Sequence, residues 1–242
     1  MNALLELAID AHGGLRRWRE LTSITARLSF GGSIFVDKGW EGALDDVAVT
    51  IRPRVQRASV APFTAPDRRT IFTPDHVAIE TSHGRRIDER FDPRALFARH
   101  RLETRWDALH LAYFSGCVMW TYLTVPFLLA EPGFFTAELD PVQEDGETWR
   151  RLQARFPASI ASHNPTQVFC FGPDGLLRRH DYTMELVGDV AIADYTDDHQ
   201  VFGGISFPTL RRAVGRQPDG TTVPEPAFVT IDIAHITVES MV

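Results

Sequence analysis

Lysine is all but absent from this chain: Lys38 is the only one, and arginine supplies the other strongly basic side chains. Acidic residues outnumber basic ones. The formal net charge of −7 at pH 7 leaves no overall basic field to draw in phosphates, so nucleic acid is not an expected partner. Cysteine is also scarce. Cys117 lies in an apolar stretch and Cys170 in QVFCFG, with no CxxC or Cys/His ligand spacing around either, so both read as buried free thiols. The opening MNALLELAIDAHGG carries Glu6 and Asp10 and has neither the basic leader nor the continuous apolar run of a secretory signal. On that reading the protein is cytoplasmic.

Familiar catalytic signatures are missing as well. There is no HExxH, no HxH pair, no GxSxG, no P-loop and no GxGxxG following a strand, although the chain holds 9 histidines. Asp194, Asp197, Asp198 and His199 offer oxygen and imidazole ligands close together, but their spacing fits neither an EF-hand nor a common zinc site and reads as a solvated acidic turn. No metal and no cofactor is expected.

What the chain does have is core. Hydrophobic residues make up 44% of its 242 positions, no linker or fixed-period repeat divides it, and a single domain over 1–242 is the simplest organisation. Leu4, Ala8, Ala11, Leu15 and Trp18 make one helical stripe in residues 1–20, interrupted at Gly13 and Gly14. The period then changes to two. Ile24, Ala26, Leu28 and Phe30 alternate with Thr25, Arg27 and Ser29, and similar short strands separated by proline and glycine fill 22–91 as a first antiparallel meander. A helical insert over 93–130, with Asp92 as N-cap and Pro93 at the first helical position, leads to a second strand meander over 135–242.

Within the insert, the run from Leu109 to Ala130 contains no Asp, Glu, Lys or Arg. It is long enough to span a bilayer, but strands precede and follow it, and a span would place the two halves of one sheet on opposite sides of the membrane. Pro126 would also end or kink the helix. The run is therefore expected to be a buried helix, apolar on every side, which a sheet can enclose only by wrapping it. Leu109, Leu111, Ala112, Met119, Leu123, Leu128 and Leu129 read as ordinary core. Trp106, His110, Tyr113, Cys117, Trp120, Thr124 and Phe127 follow one another at steps of three and four, a stripe of aromatics with polar tips suited to lining a ligand pocket.

The stretches IDAHGGLRRWRELTSITARLSF and DYTDDHQVFGGISFPTLRR, together with the order helix, meander, buried helix, meander, resemble the bacterial outer-membrane lipoprotein-sorting carriers and their LolA/LolB-like relatives. The resemblance implies a mainly β (α+β) fold: a strongly curved antiparallel sheet or incomplete β-barrel of about eleven strands, with an N-terminal helix and a buried apolar helix in its concave side. It also implies a hydrophobic cavity for acyl chains. Gly203, Gly204, Phe207 and Pro208 match the family's turn-Gly-Ile-x-Phe-Pro strand opening, in a structural role. The chain as given departs from the carriers in having no signal peptide and no lipid-attachment cysteine near its start.

Three functional expectations follow. The first is binding of a hydrophobic small molecule or lipid acyl chain by Trp106, His110, Tyr113, Trp120 and Phe127, joined from the sheet by His180 and Tyr182. In a strand through Leu186, Leu176, Arg178, His180, Tyr182 and Met184 share one face, while Arg179, Asp181, Thr183 and Glu185 share a face that reads as solvent. The second is an enzyme of cyclase or isomerase type that holds an apolar substrate in the same cavity, with His110, His180 or Tyr182 as acid or base. The third is a purely structural or interaction domain. Separately, Arg16, Arg17 and Arg19 give the N-terminal stripe a basic flank suited to a membrane surface, countered by Glu6, Asp10 and Glu20.

Overall fold

The computed structural model describes residues 2–241. Two short helices open the chain, α1 (Ala3–Ala11) and α2 (Leu15–Glu20). Asn2 starts α1 by accepting the Leu4 and Leu5 backbone N–H groups at 2.8 and 3.4 Å. The break falls at Gly13 and Gly14, both at positive φ. Gly13 has a second reason to be glycine, since a Cβ there would stand 2.2 Å from the Gly204 carbonyl oxygen. Ser206 N–H donates to the His12 carbonyl at 3.0 Å and Arg17 Nε to the Gly203 carbonyl at 2.6 Å. The AHGG and FGGIS stretches, 190 positions apart in the numbering of Gly14 and Gly204, thus form one joint.

One antiparallel sheet of fourteen strands follows. β1 (Leu21–Gly31) is succeeded by α3 (Ser33–Lys38), β2 (Val47–Arg52), β3 (Arg57–Ala61), β4 (Arg68–Thr73), β5 (His76–Thr81) and β6 (Arg86–Phe91). After the helical insert come β7 (Phe135–Glu144), β8 (Glu147–Arg155), β9 (Thr166–Phe171), β10 (Leu177–Met184), β11 (Val190–Phe202), β12 (Ile205–Arg216), β13 (Thr222–Val223) and β14 (Val229–Ser240). The spatial order is β6-β5-β4-β3-β2-β1-β14-β12-β11-β10-β9-β8-β7, with β13 attached to β12. First and last strands pair in the middle, β6 and β7 stand at unpaired edges, and the barrel is incomplete, as expected. Fourteen strands stand against the about eleven that the resemblance implies, and β7 and the two-residue β13 are those without a strand pattern in the sequence. β7 is exposed on both faces and carries Glu138, Asp140, Pro141 and Glu144, so it lacks the alternation by which a half-buried strand is recognised, and its charges and proline suit an edge.

The charge-free run becomes α4 (Ala108–Thr124), followed by a 3-10 turn over Phe127–Ala130. The helix stops just before Pro126, as the sequence predicts. It packs against β2, β3, β4, β5 and β6, buried almost all round. Its polar residues bond to its own backbone: Ser115 Oγ donates to the Leu111 carbonyl at 2.9 Å and Thr124 Oγ1 to the Trp120 carbonyl at 2.8 Å. No helix among the described residues is long and apolar enough to cross a membrane. Gly116 lets α4 approach β4, because a Cβ there would stand 2.6 Å from Phe72 Cβ.

Two local expectations need correction. Asp92 does not cap a helix: it adopts a left-handed conformation with no side-chain cap bond, and Pro93–Phe97 is a 3-10 turn. α3 has no counterpart in the sequence reading; it brings Lys38 under Trp106, where Nζ donates to the Arg101 and Leu102 carbonyls at 2.8 and 2.5 Å. Burial pulls this ammonium down to about 8.

Candidate functional site

The α4 stripe divides among three surroundings. Near its start, Asp107 caps the helix by accepting the His110 N–H at 2.9 Å, and the His110 ring turns back so that Nδ1 lies 2.7 Å from Asp107 Oδ1. His110 and Trp106 both meet Phe97 edge-on, at 4.8 and 5.9 Å between centroids. At the far end, Trp120 Nε1 donates to the Arg52 carbonyl at 2.9 Å and Phe127 stacks on Trp18 at 4.3 Å, which joins α4 to the sheet and to α2. Tyr113 is different. Its buried hydroxyl completes no hydrogen bond among the described residues, and it lies beside the Arg94 guanidinium at the floor of an open cleft.

His180 and Tyr182 project from β10 into the concave side, where they meet α4 through Tyr122. The Tyr122 and Tyr182 hydroxyls are 2.9 Å apart, His163 stacks on Tyr182 at 3.8 Å, and His180 stacks on Phe169 with Nε2 2.6 Å from Gln167 Oε1. Arg211 lies over the Tyr122 ring at 4.0 Å and donates to Asp194 Oδ2 at 2.6 Å. All these side chains are buried. Burial drives His163 down to about 3 and His180 well below the ordinary histidine range, with Arg211 adding to both, so both imidazoles are neutral. Burial likewise raises both tyrosines and the Asp194 carboxyl, whose rise Arg211 opposes. Neither ring nitrogen of His163 has a partner among the described residues.

The β8–β9 connection, a strap over residues 156–165, carries His163 onto this buried cluster. Gln56 holds it with two bonds to Ala161, Nε2 to the carbonyl at 2.6 Å and Oε1 from the N–H at 2.8 Å. Arg94 holds it from the other rim, donating to the Ser162 carbonyl at 2.6 Å while its other Nη pairs with Glu185 at 2.5 Å. Outside the strap, between Pro74, Asp92 and Arg94 on one rim and Arg155, Phe156, Pro157 and Ile160 on the other, opens a cleft of about 460 Å³. This is within the size range of sites for small ligands.

The sequence reading did not identify Tyr122, His163, Arg211 or the clamp residues Gln56 and Arg94. Tyr122 lies two positions off the chosen stripe, and no local signal places a loop histidine inside a buried cluster. Three expectations about the later strands are corrected. A register shift between Leu177 and Arg179 takes Arg178 off the His180 face, where it pairs with Asp174 at 2.7 Å. The opposite face is not solvent: Arg179 and Asp181 are buried, Arg179 pairing with Glu144 and with Asp181, and Tyr195 also bonding Glu144. Asp194 to His199 belong to β11 rather than to a turn, and Asp194 is buried against Arg211. Cys117 and Cys170 are free and buried, as expected, and burial raises both thiols to about 12.

No protein-family model matches the chain, and no curated protein does. Solved structures do share its architecture. A LolA superfamily protein from Nitrosomonas europaea superposes with a TM-score of 0.51 at 8% identity, covering 99% of this chain and 94% of that one. A DUF1329 family protein from Desulfovibrio piger gives 0.51 at 12% identity, covering 98% and 92%. A domain named for outer membrane lipoprotein sorting, from Vibrio parahaemolyticus, gives 0.52 at 10% identity, covering 100% and 95%. At these identities the likeness is one of fold: an open, curved antiparallel sheet wrapped around a buried helix, the LolA/LolB-like fold.

Proposed function

We propose that this protein binds a hydrophobic small molecule or a lipid acyl chain at the mouth of its half-barrel. The observation that carries this reading is the cleft itself, walled by Pro74, Phe156, Pro157, Ile160 and Pro165, with Asp92, Arg94, Arg155 and Glu185 at its charged rims and the Tyr113 hydroxyl beside Arg94 at its floor. The apolar walls supply affinity for a chain, and Tyr113 with the charged rim residues orients a polar end. That a structurally similar domain is named for lipoprotein sorting fits this reading. Of the sequence-derived residues, Tyr113 is assigned direct contact. Trp106 and His110 set its position through Phe97, Trp120 and Phe127 anchor the helix, and His180 and Tyr182 lie behind the strap, within reach of a chain that displaces it.

The test is native mass spectrometry of the purified protein followed by organic extraction, alongside an Ile160→Trp variant that fills the cleft. An apolar molecule released in stoichiometric amount from the parent, and lost in the variant, is the expected result. A parent that carries nothing and takes up no fluorescent fatty acid overturns the reading.

A second reading, an enzyme acting on an apolar substrate, has one observation in its favour. His163, carried by the strap, converges with His180, Tyr122 and Tyr182, with two hydroxyls in hydrogen-bond contact and both imidazoles neutral. Turnover of the co-purifying molecule, abolished by His163→Phe, would favour it over simple binding.

A further inference from the structure

The basic flank at Arg16, Arg17 and Arg19 is not isolated in the fold. The β2–β3 turn folds onto α2: Arg54 Nη1 reaches the Arg19 carbonyl at 3.3 Å, and Arg52 Nη1 the Thr22 carbonyl at 3.2 Å. The end of β14 closes the group, with Met241 N–H donating to the Glu20 carbonyl at 2.9 Å and Arg17 bonding Ser240. Arg16, Arg17, Arg19, Arg52, Arg54 and Arg57 therefore share one surface; Glu20, already paired to Arg17, Glu239, and Glu80, already paired to Arg69 beside Arg52 and Arg57, are the carboxylates near it. Among the described residues, the Arg16, Arg19 and Arg57 side chains have no hydrogen-bond or ion-pair partner, and all three are exposed. Glu6 and Asp10, which counter this flank in the sequence, belong to α1, which runs toward the β9–β10 turn, where Leu7 and Ala11 close on Gly175.

Apolar side chains stand among these charges. Val55 is 64% exposed at the tip of the β2–β3 turn, and Met241, 3.9 Å from Arg54 Nη2, is 56% exposed. Val201 is exposed beside the Gly203 turn that Arg17 holds. On a chain whose formal charge is −7, unpaired arginines gathered around protruding apolar tips form a surface complementary to a negatively charged interface with an apolar layer beneath it.

We propose that α2, the β2–β3 turn and the end of β14 dock on an anionic lipid bilayer, with the arginines at the headgroups and Val55 and Met241 at the acyl boundary. The docked turn also carries Gln56, which holds the strap at Ala161. The surface that meets the bilayer is thus directly bonded to the segment bordering the cleft. The proposal does not require the cleft to bind a ligand.

The experiment is co-sedimentation of the full chain with phosphatidylcholine vesicles, with and without phosphatidylglycerol. Binding is expected only to the anionic vesicles and should weaken as salt rises and screening shortens. Each arginine removed should lower partitioning about five-fold, so R16Q/R19Q/R57Q should lose about a hundredfold. Val55→Asp should weaken binding that persists in salt, and Arg99→Gln, outside the surface, should leave it unchanged. Circular dichroism checks that each variant is folded. Equal binding to neutral and anionic vesicles, no binding to either, or full binding by the folded triple variant overturns the proposal. So does retention on a polyanion such as RNA without vesicle binding, which would assign the surface to another class of partner.

Discussion

Arg211 and Asp194 show how a buried charge is tolerated in the concave side. The carboxylate is almost without exposure and the guanidinium nearly so, yet the pair is closed at 2.6 Å, and the cation also lies over Tyr122. Removing one partner leaves an uncompensated ion in low dielectric, whereas removing both together does not. Arg211→Met should therefore cost about 3–5 kcal/mol in urea denaturation, and Asp194→Leu/Arg211→Met should recover most of it. A double variant no more stable than the single would show that the cation–aromatic contact, rather than the ion pair, holds this residue. In the sequence Asp194 reads as part of an acidic turn and Arg211 as one arginine among many. Their pairing depends on the β11–β12 register, in which Thr196 stands opposite Arg211, and register is a property of two strands together.

At the scale of the element, α4 was largely legible. An uncharged run between strands could only be interior, and Pro126 marked its end. Which face met which neighbour was not legible, because a helix apolar on every side has no preferred side until the sheet supplies one. Gly116 illustrates the point. In an isolated helix Gly→Ala is stabilising by about 1 kcal/mol. Here the added methyl meets Phe72 Cβ and Cγ at 2.6 Å, atoms close to the β4 backbone that cannot swing away as a flexible tip would. Gly116→Ala should thus destabilise by about 1–3 kcal/mol, read as a lower urea midpoint at unchanged slope. A raised midpoint would mean that β4 yields to the helix. β7 is the converse case: exposed on both faces, it gives no period to read, and its assignment comes only from its ladder with β8.

For the molecule as a whole, neutral histidines are the main pH-sensitive feature. Burial holds His163 at about 3 and His12 and His199 at about 4, and His180 is lowered as well. Below the ordinary histidine value of about 6.5, the unfolded chain takes up protons that the fold refuses. Stability is therefore complete above that value and falls as pH drops toward the folded values, by about 1.4 kcal/mol per pH unit for each fully buried ring. Asp181 and Asp194 are raised and act in the opposite direction, recovering part of the loss as they protonate in the fold. The melting temperature should be flat just above neutrality and decline steeply on acidification below about pH 6. His163→Phe should make that decline shallower; a melting temperature that holds level through pH 5 would show that the rings are protonated in place.

The alternating strands, the uncharged helix with its proline stop and the glycines of AHGG and FGG were determined by the sequence itself, because each depends on residues within a few positions of one another. The cleft, the strap and the buried histidine–tyrosine cluster were decided by tertiary structure. Gln56 and Ala161 are 105 residues apart, and Arg94 and Ser162 are 68 apart. Such pairs meet only after a curved sheet has brought its two halves face to face. Curvature, in turn, is a collective property of strand twist and pairing that no short stretch encodes. For the same reason, six arginines scattered through the first 57 residues become a single surface only in the folded chain.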